Sequence, residues 1–444
     1  LRSQPRSIVL IDGEHYPPVV ARALKRMREQ GEKPLVALMV GGGEKLGQMD
    51  TDLGVPVEDG SKDPEAALLS AIERHGATRV IDLSDDPVLG YVNRSRLASI
   101  ALFKDAEYIG ADFSFTPPTR PDVGYPSVGI IGTGKRTGKT AIGGTVARLF
   151  KEGGLRPVVV AMGRGGPEEP EVIEADAQLD AAHLADLIEQ GKHASSDYIE
   201  DALTAGVPTV GAWRAGGGMA GATSFSNYEK ALEAAGSLDP GILVLEGSGA
   251  AIPPARWDAG ILIVDAGIPV SEISGYFGLY KLLLADLVVL TMVEESLSRE
   301  HLAAVERCLR SGPLSQPRVV RTTFRPHPLS DITGKRVWFA TTAPQSAGDI
   351  LKEHLEKHHQ AEVINISHSL SNRDQLRADL KLAAEAEVLL VELKAAAVDV
   401  VVRKGLEAGS EVVFVDNRPQ SVDGVDLDSA FLEVGTLATD RFTR

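Results

Sequence analysis

The residues best suited to chemistry lie at 127–140, which read SVGIIGTGKRTGKT. A β-branched apolar run leads into glycines, then Gly-Lys-Thr, then a helical pattern. Glycines allow backbone N–H groups to turn inward around phosphate oxygens, and a helix N-terminus adds partial positive charge. This context predicts a phosphate-binding loop whose lysine reaches the β- and γ-phosphates and whose threonine hydroxyl ligates Mg²⁺. The predicted cradle consists of Gly132, Thr133, Gly134, Thr137, Gly138, Lys139, Thr140 and Ala141.

The loop is one residue longer than the common G-x4-G-K-[ST] pattern, because Thr133 stands where that pattern has glycine and Gly132 precedes it. The alternative is a glycine turn followed by Lys-Thr by chance, which the strand–loop–helix context disfavours. Residues 290–295 read LTMVEE and lack the N-K-x-D segment typical of guanine recognition. We therefore predict ATP as the nucleotide.

A glutamate follows another buried strand, in the segment ILVLEGSGA at 242–250. The carboxyl ends of parallel strands meet at one edge of a sheet, so we expect Glu246 to face the phosphate loop. A carboxylate there can hold Mg²⁺ or its water shell. The alternative is an ordinary polar residue at a strand end.

Arginine occurs in three glycine-rich loops, and the arginine fork matches phosphate geometry. Arg136 lies in the phosphate loop beside Lys135, Arg164 lies in MGRGGP, and Arg214 lies in WRAGGGMAG. These cations predict a phosphorylated substrate, although solvated loop arginines are the alternative. His193, in GKHASSDY, could reach the same ligand, but helix capping by its serine and aspartate neighbours explains that segment equally well.

Short apolar runs alternate with helical patterns along the whole chain, which predicts an α/β fold with parallel sheets. We expect a central P-loop-type sheet flanked by smaller α/β units, with domains at 1–124, 125–330 and 331–444. The four prolines of 115–126 disfavour regular structure and predict a linker. The last unit could instead be a lobe of the central domain. Asp12 and Glu392 follow strands of the flanking units, where Asp12 serves either a ligand or a turn, and Glu392 serves either a ligand or a helix start.

Composition narrows the classes of partner. The net charge of −16 over 444 residues disfavours binding to nucleic acid or to an anionic membrane surface. The single cysteine, Cys308, excludes an internal disulfide and lies in a helical pattern. Because we find neither a run of 18 apolar residues nor a signal-peptide core, we expect a cytoplasmic protein.

Two resemblances make these expectations specific. The phosphate loop and the EGSG segment resemble those of dethiobiotin synthetase-type enzymes. The strings IDGEHYPPV, GTGKRTGKTAIGG, VVVAMGRGGPEEPEVIE, GKHASSDYIEDAL, LEGSGAAIPP, GYFGLYKLLLADLVVLTM and ELKAAAVDV resemble the cyclic 2,3-diphosphoglycerate synthetase family. That resemblance implies ATP-dependent closure of 2,3-bisphosphoglycerate into a cyclic phosphoanhydride, with release of ADP and phosphate. It also implies a homodimer, and a need for K⁺ stays open.

The chemistry of such a reaction distributes roles among the candidates. Lys139 and Thr140 would hold the nucleotide and Mg²⁺, and Glu246 would support the metal. Lys135 and Arg136 would stabilise the transferring phosphoryl group, and the grip on the substrate phosphates would fall to Arg164, Arg214, His193 and Lys281. Two rival readings are a dethiobiotin synthetase-like ligase acting on another acid and a P-loop ATPase regulated by a partner. A regulator with a degenerate loop is disfavoured, because Lys139 and Thr140 are intact.

Overall fold

The amino-terminal unit is a mostly parallel sheet covered by helices. The computed structural model describes residues 4–42, 52–177, 179–190, 196–294, 297–314, 317–393 and 397–444. Its first strands and helices are β1 (Arg6–Ile11), α1 (Pro17–Glu29), β2 (Lys33–Met39), β3 (Val57–Asp59), α2 (Pro64–His75), β4 (Arg79–Asp82), α3 (Tyr91–Phe103), β5 (Glu107–Ile109) and β6 (Ser114–Phe115). The strand order is β3-β2-β1-β4-β5-β6, and only β6 pairs antiparallel. Residues 116–126 form no helix or strand.

The central unit is a second sheet in which the strand before the phosphate loop lies between two parallel neighbours. Its elements are β7 (Ser127–Gly132), α4 (Lys139–Glu152), β8 (Pro157–Gly163), β9 (Glu171–Ile173), α5 (Ala181–Glu189), α6 (Asp197–Ala205), β10 (Thr209–Ala215), β11 (Phe225–Ser226), α7 (Tyr228–Gly236), β12 (Ile242–Glu246), β13 (Ala259–Asp265), α8 (Val270–Ser274), α9 (Gly278–Leu283), β14 (Leu287–Thr291) and α10 (Arg299–Leu309). Strands β8, β12, β7, β13 and β14 are adjacent in that order and parallel. Their carboxyl ends therefore form one edge, at which the phosphate loop lies.

The carboxy-terminal unit continues the same sheet. Its elements are β15 (Arg318–Pro328), β16 (Arg336–Ala340), α11 (Gly348–His359), β17 (Glu362–Ser367), α12 (Arg373–Asp379), β18 (Val388–Glu392), α13 (Val398–Ala408), β19 (Glu411–Ser421) and α14 (Leu427–Phe442). The first part of β15 pairs parallel with β14, and its second part pairs antiparallel with β19. The central and carboxy-terminal strands thus form one continuous sheet.

The three units also share hydrophobic cores. One buried cluster joins Ile8 and Leu10 of the amino-terminal sheet to Leu262 and Phe277 of the central unit. Another cluster packs Phe431 of α14 against α4 and β7. The last helix therefore belongs to the core around the phosphate loop, although it follows the carboxy-terminal sheet in sequence. The domain limits drawn from the sequence stay a prediction.

The α/β fold class with a central parallel sheet is confirmed. The strand and the helix that the sequence predicts at Ser127–Ile131 and Thr140–Glu152 are observed as β7 (Ser127–Gly132) and α4 (Lys139–Glu152). Every helix in the described ranges is too short or too polar to cross a bilayer.

Candidate active site

The phosphate loop connects β7 to α4 and is braced by the neighbouring strands. The Thr133 N–H donates to the Ile263 carbonyl of β13 over 3.1 Å. The Thr291 hydroxyl, at the end of β14, donates to the Thr137 carbonyl over 2.7 Å. These contacts fix both ends of the loop to strands that do not depend on a ligand for their pairing.

The loop backbone has the features of an anion cradle. Among the described residues, no protein acceptor takes a hydrogen bond from the backbone N–H groups of residues 134–138. Gly138 precedes α4 in the left-handed region, with φ +87°, and a Cβ there would lie 2.3 Å from the Phe324 ring. The Thr133 and Thr137 hydroxyls are buried without a partner in the described part of the chain. Free donors at a helix N-terminus suit phosphate oxygens.

Lys139 and Glu246 meet beneath the loop. The Lys139 ammonium lies 3.4 Å from a Glu246 carboxylate oxygen, and both side chains are buried. Burial lowers the pKa of Lys139, but the Glu246, Asp197 and Asp201 carboxylates together raise it above its ordinary value. Gly143 makes room for Glu246, because a Cβ on Gly143 would lie 1.6 Å from that carboxylate. The predicted proximity of Glu246 to the phosphate loop is thus observed.

Three predicted cations converge on the turn after β12. A Cβ placed on Gly249 would lie 3.5 Å from both Lys135 and Arg164 and 3.7 Å from Arg214. The Gly249 carbonyl in turn lies 3.6 Å from the Cβ position of Gly132. The cationic cluster formed by Lys135, Arg164 and Arg214 therefore lies beside the phosphate loop.

Arg214 is the buried member of the cationic cluster. Its guanidinium donates to the Ser248 carbonyl over 2.8 Å and to the Gly216 carbonyl over 2.9 Å. Burial and the neighbouring Arg164 charge lower the pKa of Arg214, and Asp197 acts in the opposite direction. Two arginines that repel each other in a partly dry site favour an anion between them.

Lys281 reaches the loop from the other side. It lies on α9, between β13 and β14, and its ammonium donates to the Gly132 carbonyl over 3.1 Å. Burial lowers the pKa of this lysine to about 8. The structure therefore brings Lys281 to the base of the phosphate loop and leaves it out of the cationic cluster. Arg136 is exposed in the loop with φ +60°, and His193 lies outside the described residues.

Two acidic residues at this site were not predicted from the sequence as site residues. Asp197 and Asp201 lie four residues apart on α6, and their charges act on Lys139. Asp201 is fully buried. The spacing Asp-x3-Asp in a helical segment was the available signal, since it places both side chains on one helix face.

Comparison with known proteins identifies the family. Sequence models of the amino-terminal, P-loop and carboxy-terminal domains of cyclic 2,3-diphosphoglycerate synthetase match residues 6–116, 127–320 and 328–418. The chain belongs to the cyclic 2,3-diphosphoglycerate synthetase family. A synthetase of that name from Rubrobacter xylanophilus is 45% identical over 98% of both chains. One from Thermococcus kodakarensis is 45% identical over 96% of this chain and 98% of its own. One from Methanothermus fervidus is 42% identical over 98% of both chains.

The cyclic 2,3-diphosphoglycerate synthetase family is a family of enzymes. The residues that its P-loop model matches contain the cradle, Glu246, the cationic cluster and Lys281. Nucleotide binding by this chain follows from that domain. The residues beside the loop also suit a hard cation, because Mg²⁺ prefers hydroxyl and carboxylate oxygens such as those of Thr140 and Glu246. In the described ranges no three His, Cys, Asp or Glu side chains could hold a metal by themselves. Nucleotide oxygens and water would therefore complete the coordination.

The polar residues at the flanking sheet edges, Asp12 and Glu392, accept hydrogen bonds from protein groups. Asp12 accepts hydrogen bonds from the backbone N–H groups of Glu14, His15 and Asp85. Glu392 accepts from the Thr341 hydroxyl over 2.7 Å and from the Asn417 amide over 3.0 Å. These contacts favour the turn-holding alternative for Asp12, whereas Glu392 links the end of β16 to β19.

Proposed function

We propose that this enzyme uses ATP to close 2,3-bisphosphoglycerate into cyclic 2,3-diphosphoglycerate, with release of ADP and inorganic phosphate. Relatives with 42–45% identity over nearly the full length carry that synthetase name. The observation that carries the proposal is the cationic cluster beside the phosphate loop. A substrate with about five negative charges near neutral pH needs dense compensation where it meets ATP.

The reaction requires one substrate phosphate to be activated. An oxygen of that phosphate attacks the γ-phosphorus of ATP, and the bond from the γ-phosphorus to the β-bridging oxygen breaks to release ADP. The second substrate phosphate then attacks the phosphorus of the activated one in line. The bond to the transferred group breaks, and inorganic phosphate leaves with one oxygen that came from the substrate. A phosphate dianion is already a nucleophile, so no general base is required.

The residues divide between the two ends of this reaction. Lys139, Thr140 and the loop backbone bind the nucleotide phosphates, and Lys135 with Arg136 stabilises the transferring phosphoryl group. Arg214 and Arg164 orient the substrate phosphates, because Arg214 is fixed by two carbonyls. Thr140 and Glu246 would hold Mg²⁺, which neutralises phosphate charge when it is bound.

The position of Lys281 supports a role toward the nucleotide end. Its ammonium is within 3.1 Å of the Gly132 carbonyl, and Gly132 is the first residue of the cradle. We therefore assign Lys281 to the phosphate loop and leave the substrate phosphates to the arginines.

Phosphorus NMR of the purified enzyme with Mg-ATP and 2,3-bisphosphoglycerate tests the proposal. We expect a cyclic anhydride resonance to grow in step with ADP and phosphate, and no turnover without substrate. ATP consumption with no new substrate resonance would contradict the proposed substrate. Screening other acids would then separate a dethiobiotin synthetase-like ligase from an ATPase that responds to a macromolecule.

Arg214→Gln and Arg156→Gln make a matched pair for the same assay. Arg156 is an exposed arginine paired with Asp239. We expect Arg214→Gln to raise the KM for 2,3-bisphosphoglycerate by at least about tenfold with little change in ATP affinity. Arg156→Gln should leave both constants unchanged, and equal effects of the two variants would remove Arg214 from the substrate site.

A further inference from the structure

Helix α6 presents a buried acid whose role the reaction scheme does not explain. The Asp201 side chain has 0% exposure, and neither carboxylate oxygen has a hydrogen-bond partner among the described residues. Buried carboxylates are normally hydrogen bonded or paired, because removing them from water is costly. An unpartnered one therefore indicates a ligand that the described residues do not supply.

The surroundings of Asp201 are acidic. Burial raises the pKa of Asp201 well above its ordinary value, and the Glu246 charge raises it further, while Lys139 opposes them. Asp197 lies one helical turn earlier on α6. Its side chain reaches the end of β8, where a carboxylate oxygen lies 3.8 Å from the Cβ position of Gly163. Lys139 is the cation that acts on all three of these carboxylates in the described structure.

Two glycines of α4 allow this arrangement. A Cβ on Gly143 would meet Glu246, and one on Gly144 would lie 2.7 Å from the Thr204 hydroxyl of α6. The absence of side chains at both positions lets α6 and the end of β12 approach α4 at its second turn. The preceding turn carries Thr140, the hydroxyl expected at the metal. Gly143 and Gly144 are thus required for the packing that brings Asp201 and Glu246 together, and these two carboxylates with Asp197 form an acidic pocket.

Nucleotide binding changes the charge balance of this pocket. Lys139 is the lysine assigned to the phosphates, and its ammonium now lies 3.4 Å from Glu246. Once it engages a phosphate, its charge is shared with the nucleotide, and the buried Asp201 carboxylate loses part of its compensation. Oxygen ligands of this kind are those that Mg²⁺ takes in phosphate-transfer sites, alongside substrate oxygens.

We propose that Asp201 is a further magnesium ligand, which binds the metal of the Mg-nucleotide complex together with Glu246 and Thr140. The inference rests on the nucleotide-binding part of the proposed function. It does not depend on the identity of the phosphorylated substrate. It predicts that this site binds metal only when nucleotide is present, because nucleotide oxygens complete the coordination.

Electron paramagnetic resonance, with Mn²⁺ in place of Mg²⁺, tests the assignment by measuring Mn²⁺ binding. The samples contain ADP and no substrate. Asp201→Asn keeps the shape of the side chain and removes its charge. We expect its Mn²⁺ dissociation constant at saturating ADP to rise by at least about tenfold. Glu233→Gln also replaces a carboxylate by an amide, but at an exposed position of α7, and it should leave that constant unchanged. Mn²⁺ affinity in Asp201→Asn within about twofold of wild type would overturn the proposal.

A second measurement covers the case in which Asp201→Asn fails to fold. The Asp197→Asn variant is used so that Asp197 cannot bind the metal. The protein is produced with aspartate that carries ¹³C at its side-chain carboxyl, and it is then loaded with Mn²⁺ and ADP. Electron–nuclear double resonance should detect a carboxyl ¹³C coupled to the metal, which identifies a directly bound aspartate. No such coupling, with Mn²⁺ bound, would overturn the proposal. Because both experiments omit the substrate, failure to form the cyclic product would not alter their outcome.

Discussion

Lys281 offers the sharpest quantitative prediction, because it holds a positive charge in an apolar setting. Its side chain is 5% exposed, and its protein hydrogen bond runs to the Gly132 carbonyl. Burial lowers its pKa from 10.5 to about 8. This lowering of the pKa by about 2.5 means that the folded protein disfavours the charged lysine by about 3 kcal/mol, relative to the unfolded chain. The ligand-free protein therefore carries this destabilisation at pH 7.

Lys281→Met removes the charge and keeps most of the apolar stem. The lost hydrogen bond costs about 1 kcal/mol, so the variant should gain about 2 kcal/mol in the free energy of unfolding at pH 7. The gain should persist at lower pH, because both the folded and unfolded states are then protonated. It should shrink between pH 8 and pH 10.5, where the wild-type unfolded state binds more protons than the folded state and wild-type stability rises with pH.

Urea unfolding of ligand-free wild type and Lys281→Met at pH 7 and pH 10 measures both effects. Lys281→Arg is the matched control that keeps the charge, and it should not be stabilised. With Mg-ATP the order should reverse, because phosphate compensates the ammonium of the wild type alone. Lower stability of Lys281→Met at pH 7, with the same pH dependence as wild type, would refute the reasoning.

Three further predictions address the loop and its neighbours. Gly143→Ala should lower turnover by at least about a hundredfold, because its Cβ would displace the Glu246 carboxylate; unchanged ATPase rates would contradict this. Thr291→Val should weaken ATP binding about fivefold by calorimetry, since it removes the bond to the Thr137 carbonyl, and a larger loss than for Lys139→Ala would be inconsistent with it. Lys135→Ala should lower kcat about a hundredfold with little change in ATP affinity, and near-normal turnover would remove Lys135 from catalysis.

The phosphate loop was predictable because its signal is local. Glycines, Lys139 and Thr140 occur within one short segment between a strand and a helix, and the structure shows that segment in the expected context. The sequence also predicted that Arg164 and Arg214 bind the substrate phosphates, because each lies just after or at the end of a strand of one sheet. Their common position beside Gly249 is seen only in the structure. Strand ends and glycine loops are features that a single sequence reports well.

Features that depend on long-range packing were not predictable. The Asp-x3-Asp spacing places Asp197 and Asp201 on one helix face, but Asp201 becomes a site residue only because α6 packs on α4. Strand β15 is not evident from the sequence, because Pro326 and Pro328 argue against a strand. Both prolines lie in the part of β15 that pairs with β19 on one side, beyond the residues that pair with β14. A missing N–H is tolerated where one side of the strand has no partner.

The most direct test of the proposed chemistry follows an oxygen atom. 2,3-Bisphosphoglycerate labelled with ¹⁸O in its phosphate groups is turned over with unlabelled Mg-ATP, and the released phosphate is analysed by phosphorus NMR. Activation of a substrate phosphate by the γ-phosphoryl group predicts one ¹⁸O atom in each released phosphate. Inorganic phosphate without ¹⁸O, released at the rate of product formation, would contradict the account.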